Sequence, residues 1–543
     1  MSNIIDTATR NQGFSFEGRL IPAVFLGFVF LLGGLLSPAH GLPYYINKDA
    51  TGPSEDGASW NTAFRTITNA TAKVVGGEFW VAKGLYPADS TAGIAVKANN
   101  VFYGGFTVGM TDVTQRDLLV DQTILDGNNA GRVLLSTGAL TMDGFVLRNG
   151  TNSGAGGAFI PGVAGAIAFR NCLFTNNMGT SAGAVYINTS NLRHTFSNCT
   201  FVANRAVTGS GGAIAYNRGG GTGVFTRCVF IGNNAASGSD GGAISEAQTG
   251  NNFDFSNCVF TNNTSGSNGG AIRITGRLSL ANCEFYNNSG GQYGGALYTV
   301  GPAALMNCDF SSNTASYSGG AIAHSGSTTN VYRNCSFLGN AAKGMGGTVG
   351  GGAIIEMGGY PETLISNCTF VGNGSSAPSA GNGVGGAIRA GPTATSTATV
   401  YVVNSIFWGN TATATASTNI SMGTVSTLNL SYSDINTNAY HIAATLKNYG
   451  LGITNVDPQF ASAILPYDVH LKSKGGRYDP ATSTWVKDAV SSPCIDKGDP
   501  ASDWSLEPTP NGGQINLGRY GGTLYASKTE TTTTPKGALI LVR

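Results

Sequence analysis

Charge is scarce in this chain: Lys plus Arg number 30 and Asp plus Glu 29 among 543 residues, for a formal charge of +1. That balance supplies neither a basic surface for a nucleic-acid backbone nor an acidic tail. Histidine is rarer still, at 5, and none of the 9 cysteines stands in a Cys-x-x-Cys pair, so the ligand spacing of a metal centre is missing. Helical periodicity is absent too, since no segment of ten or more residues between 151 and 410 has it. What the chain has in excess is glycine, with 80 residues, about double the usual share. At 41% hydrophobic it is too apolar for a disordered chain.

One long apolar run exists, from Leu20 to Leu36, preceded by Arg10 and Arg19 and followed by Ala39-His40-Gly41. That order fits an export signal over residues 1–41, with the mature chain beginning near Leu42. An uncleaved anchor is the alternative, because the run is at the short limit for spanning a bilayer.

The main feature is a repeat, and a fixed period redirects the fold assignment before any local reading. Asn257-Cys258-Val259-Phe260 recurs with its cysteine at Cys172, Cys199, Cys228, Cys258, Cys283, Cys308, Cys335 and Cys368, and a ninth copy carries Ser405 instead. Three residues after each phenylalanine stands an asparagine: Asn177, Asn204, Asn233, Asn263, Asn288, Asn313, Asn340, Asn373 and Asn410. Between copies runs Gly-Gly-Ala plus an aliphatic residue, as at Gly269-Gly270-Ala271-Ile272. Cys and Phe two apart point to one side of a strand. Short strands, glycine-rich turns and a turn of chain every 25 to 33 residues imply an all-β parallel β-helix, each turn stacked on the one before. The asparagines are expected to occupy left-handed turns and to bond from turn to turn. The cysteines are expected to form an interior column of free thiols, because side chains on adjacent rungs, about 4.8 Å apart, exceed relaxed disulfide geometry.

Phe-x-x-Asn alternating with Gly-Gly-Ala-Ile resembles the repeat of chlamydial polymorphic outer membrane proteins, within the wider group of right-handed parallel β-helix proteins with a pectate-lyase-like fold. The resemblance covers residues 156–410 and implies a right-handed solenoid; those proteins are surface-displayed adhesins carried by a carboxyl-terminal β-barrel, and without that barrel their adhesin role does not pass to this chain with the repeat. The carboxyl-terminal β-barrel of those proteins has no counterpart in the 133 residues after Asn410. Segments such as "VDPQF", "SSPCIDKGDP" and "NGGQINLGRYGGT" resemble the closing region of choice-of-anchor envelope proteins.

Five segments follow: an export signal (1–41), an amino-terminal cap with the first turns of the solenoid (42–150), the regular repeats (151–410), a closing region (411–527) and a polar tail (528–543). Trp60, Ala63, Phe64 and Ile67 fall at i, i+3, i+4 and i+7 after Ser59, which predicts a cap helix there. Asp496, Asp499 and Asp503 are read as turn residues rather than a calcium loop.

For catalysis the sequence offers little. Aligning the Gly-Gly-Ala phrases puts Glu246, Ile274, Thr299, His324 and Glu356 in one register. His324 and Glu356 are thus the sole candidate pair, expected to be an exposed ion pair on a strand surface. Arg273 and Arg389 share the adjoining register, and Tyr186, Tyr216, Tyr298 and Tyr317 are candidates for stacking on sugars. The expectation is a monomeric, exported protein of the cell surface, outer membrane or medium, needing no cofactor or metal, with a polysaccharide or a surface receptor as partner. A non-enzymatic adhesive or glycan-binding role is expected; a polysaccharide lyase or glycoside hydrolase acting in a groove is the alternative, and a structural spacer is a third possibility.

Overall fold

The structure, a computed structural model, describes residues 42–531 except 163–164, 247, 346–348, 378–382, 393–395, 414–417, 439–441 and 445. The export segment read at 1–41 and the tail from 532 lie outside the described residues.

Across the regular repeats each turn of chain lays down four short strands. In one turn they are Asn252–Ser256, Val259–Thr261, Thr264–Gly266 and Ile272–Ile274. Each pairs in parallel one turn on, Phe253 with Leu278, Phe260 with Phe285, Thr264 with Ser289 and Ile272 with Leu297. Repetition builds four parallel sheets of 15, 12, 10 and 13 strands, here called the first to fourth faces in the order the chain visits them.

Alternation within each strand decides what enters the core. Phe174, Phe201, Phe230, Phe260, Phe285, Phe310, Phe337, Phe370 and Phe407 form one interior column with ring centroids 4.6 to 5.1 Å apart and planes within 7°. Each ring withdraws from water and contributes about 1.5–3 kcal/mol. Beside it runs the thiol column, every member fully buried and free, as the spacing predicted. Each Sγ finds a backbone carbonyl, as Cys199 does at Phe169 O, 3.3 Å away. Ser405 continues the column, its Oγ donating to Val403 O at 2.9 Å.

The asparagines form the second ladder, but not where left-handed turns were expected. Asn288 Nδ2 donates to Asn313 Oδ1 at 2.9 Å and to Phe260 O at 2.9 Å, while its Oδ1 accepts from Asn263 N and Asn263 Nδ2, each at 3.0 Å. The left-handed conformation belongs to the residue before the ladder asparagine, Asn287 (φ 52°), and to the residue before the cysteine, Asn282 (φ 53°). A ladder amide must point inward to reach the carbonyl of the preceding turn, so the tight bend falls on the residue before it. The first glycine of Gly-Gly-Ala also has positive φ, 65° at Gly269. A Cβ on the second, Gly270, would lie 2.0 Å from Gly295 O on the next turn.

A helix does cover the first turn, six or seven residues later than predicted. It spans Ile67–Lys73, capped by Thr66, whose side chain accepts from Asn69 N. Phe64 instead bridges to Ile46 in strand pairing, and Trp60 packs outward against Tyr45 with centroids 4.6 Å apart. Pairing with the first strand thus overrides the local helical spacing. At the far end the solenoid runs past residue 410 to a strand at Leu446–Tyr449, where Lys447 takes the register of core residue Leu428. A charge in that position ends the stack and discourages further strand addition.

From Val456 the chain turns back along the outside of the second face. Phe460, Val469, Leu471, Cys494, Ile495 and Leu517 pack against Leu338, Val371 and Ile406 of the solenoid. Arg519 binds Asp309 through Nε at 3.0 Å and Nη2 at 3.1 Å, and Asn334 Nδ2 donates to the carbonyls of Arg519 (2.9 Å) and Gly521 (2.8 Å). This region therefore buttresses the flank of the solenoid. Residues of the tail join it: Lys528 N donates to Gly476 O at 2.8 Å, and Thr529 Oγ1 to Asp496 Oδ2 at 2.8 Å.

Candidate functional site

His324 and Glu356 are register partners on adjoining strands of the fourth face, as aligned from sequence. Their exposure was misjudged: both side chains point inward and are fully buried. The phrase Gly-Gly-Ala-Ile-x-x puts the residue two after the aliphatic one on the same inner side, so the whole register is interior. His324 Nδ1 pairs with Thr299 Oγ1 at 3.0 Å and Nε2 with Thr328 Oγ1 at 3.2 Å, and burial pushes its pKa down to about 4. Glu356 accepts from Asn330 Nδ2 at 3.3 Å and Tyr332 Oη at 3.4 Å, and burial pushes it up to about 8. Each spends its polar atoms on other partners, as a neutral pair closed off from any polymer. Glu246, in the same register, is likewise buried and accepts from Asn251 Nδ2 at 2.9 Å and Thr275 N at 2.7 Å.

The outer side of the fourth face is different. Here the register runs Ser245, Arg273, Tyr298, Ala323. At the corner leading into it, the residues just before the paired glycines stack as Ser210, Asp240, Asn268, Tyr293 and Ser318, each N–H of the following glycine bonding to the carbonyl one turn on. A side-chain ladder climbs this corner: Asp240 N donates to Ser210 Oγ at 3.1 Å, and Asn268 N to Asp240 Oδ1 at 2.9 Å. It stops at Asn268, whose Oδ1 is buried and bonds to no other residue among those described. Arg273 Nη1 donates to Glu246 O, while its Nε is also buried without a hydrogen bond and lies 3.6 Å from Asp240 Oδ2. Three tyrosines close the cluster. Tyr293 and Tyr317 meet edge to face at 5.5 Å, and Tyr298, beside Arg273 in register, donates to Ser325 Oγ at 2.9 Å. All three are partly exposed. Burial and its two neighbouring phenols push the Tyr293 pKa up.

The sequence-derived residues thus separate. Tyr298, Tyr317 and Arg273 come together, whereas Tyr216 lies inside against Phe253 with centroids 4.9 Å apart. Tyr186 stands three rungs from Arg273, about 14 Å at the inter-strand spacing. Arg389 lies four rungs from Arg273 on the other side and is buried. Tyr293, Asn268 and Asp240 were not singled out, although their position before each Gly-Gly pair was visible as a register.

Other acidic residues serve structure. Asp254 pairs with Arg277 at 2.8 Å outside the first face. Asp499 Oδ1 accepts from Ala501 N at 3.0 Å and Asp503 Oδ1 from Ser505 N at 2.9 Å, the turn roles expected of them. Glu284 and Asp309 are register partners outside the second face, beside the buttress.

A family profile described as right handed beta helix region matches residues 183–353, and one described as disaggregatase related matches residues 324–498. No curated protein matches the chain in sequence. Among solved structures, pectate lyase Pel9A is similar at 13% identity over 88% of this chain and 96% of its own, with a TM-score of 0.33. A rhamnogalacturonan lyase matches at 12% over 83% and 97%, TM-score 0.33. Tailspike protein 3 of bacteriophage CBA120 matches at 12% over 83% and 69%, TM-score 0.37. With four stacked parallel faces and the profile match inside the repeats, the chain is a right-handed parallel β-helix.

Proposed function

We propose that the protein is an exported, monomeric β-helix of the cell surface or extracellular space that binds polysaccharide on its fourth face. The cluster of Tyr293, Tyr298 and Tyr317 around Arg273 and Asp240 carries this reading. Aromatic faces suit the apolar side of a sugar ring, and hydrogen-bonding atoms beside them suit its hydroxyls. The likeness of the repeat to chlamydial surface proteins, the choice-of-anchor vocabulary near the end and the signal-like start support display at the cell envelope, on a glycan or a glycosylated receptor. Binding of the mature chain to immobilised polysaccharides tests this. The double variant Tyr298→Ala, Tyr317→Ala should lose binding while keeping its β-type circular dichroism; undiminished binding by a folded double variant rejects the site.

A further inference from the structure

We infer that the outer side of the first face, over the three turns whose strands are Ile167–Arg170, Arg193–Ser197 and Thr222–Thr226, binds an acidic polysaccharide at a site separate from the tyrosine cluster. The near-neutral charge of the whole chain conceals a local segregation. Residues 144–239 hold six arginines and no Asp, Glu or Lys. Arg148 pairs with Asp126 at 2.7 Å, and Arg205 belongs to the third face. The other four, Arg170, Arg193, Arg218 and Arg227, are exposed, and none pairs with a carboxylate among the described residues. Acids on the flanking turns are already engaged. Asp143, the register partner of Arg170, is held by Arg116 Nη1 at 3.4 Å and Asn171 Nδ2 at 2.9 Å, and Asp254, the register partner of Val224, by Arg277 at 2.8 Å.

The placement of the four suits an extended polymer. Arg193 and Arg218 lie at the edge where the chain enters the face, Arg170 and Arg227 at the edge where it leaves. The strand Arg193–Ser197 spans that width, about 13 Å at about 3.3 Å per residue. Arg170, Ser197 and Thr226 share a register, so Arg227 follows Arg170 by two rungs, about 10 Å. Between the edges, Thr195, Ser197, Thr222 and Thr226 alternate outward with Ala168 and Val224, all half-buried. Hydroxyls suit a sugar, and guanidinium forks suit the oxyanions that an acidic polysaccharide carries. A nucleic-acid strand would need stacking rings, and the outward residues of these strands include no aromatic side chain.

The test is titration of the chain from residue 42 onward with polygalacturonate, dextran sulfate, neutral dextran and duplex DNA. Binding of an acidic polysaccharide, weakened at least tenfold between about 50 and about 500 mM salt, is expected, and the tighter of the two polymers names the oxyanion as carboxylate or sulfate. The double variant Arg193→Thr, Arg227→Asn gives each position the residue of a neighbouring turn, so thermal unfolding should hold while affinity falls at least tenfold. Tyr298→Ala with Tyr317→Ala should leave this binding intact, which separates the site from the fourth face. Undiminished affinity in the folded arginine variant, loss in the tyrosine variant, equal binding of neutral dextran, or failure of both acidic polymers to bind overturns the inference. DNA bound as tightly as the acidic polysaccharides overturns the choice of partner.

Discussion

Replacing Asn288 by leucine tests the ladder most directly, because leucine keeps the volume and removes every hydrogen bond of the amide. Asn288 makes four side-chain bonds, two given and two received, at 2.9 to 3.0 Å. Not all four losses leave an orphan. Asn313 Oδ1 still accepts from Asn288 N at 3.0 Å, and Asn263 Nδ2 still donates to Phe230 O at 3.0 Å. The buried Asn263 N–H loses its partner outright, whereas the Phe260 carbonyl, in the parallel ladder with the next turn, keeps its backbone bond. At about 1–3 kcal/mol for a buried polar group left unmade, the cost is about 2 kcal/mol. Equilibrium denaturation in guanidinium measures the total, and hydrogen exchange at the Asn263 amide locates it. A loss under about 1 kcal/mol with that amide still protected would refute the reasoning that the ladder bonds hold the turns together.

Stability should depend on pH from both sides of the core pair. Glu356 has a folded pKa of about 8 against 4.5, so the stability tied to its neutral form is complete below pH 4.5 and lost as pH rises to 8, about 5 kcal/mol in all. Glu356→Gln should flatten that alkaline slope in thermal melts. His324 has a folded pKa of about 4 against 6.5, so its contribution is present above pH 6.5 and lost as pH falls through 4; His324→Gln should reduce acid sensitivity. All 9 cysteines are buried and free, so native protein should resist alkylation and denatured protein should take up nine labels by mass spectrometry. Arg519→Ala removes the anchor of the buttress on Asp309. With Asp309 partly exposed, the cost should be about 2 kcal/mol, and limited proteolysis should cut first between residues 457 and 531.

The solenoid was legible because its determinants are local and repeated. Cys258 and Phe260 differ by two positions, so they share a side; the same phrase one turn later stacks on it, whatever the loop between them does. Gly269 and Gly270 recur because one needs positive φ and the other faces a carbonyl of the next turn. Those facts fix fold class, register and the interior columns. Which side of a strand is inside is not fixed by register alone, and there His324, Glu356 and Tyr216 went astray: a polar residue two after an inward isoleucine is also inward, however polar it is. The cap helix moved for the same kind of reason, since Phe64 gained more by pairing with Ile46 than by helical spacing.

The amino-acid sequence alone determined the stacked columns, because period and alternation repeat within each turn of chain. Only the tertiary structure decided the buttress laid along the second face through Arg519 and Asp309, whose residues share no pattern, so nothing in the spacing of either partner encodes the other. At the corner, Asp240, Asn268, Arg273 and the tyrosines follow the registers around each Gly-Gly pair, and the structure decides which of those side chains meet.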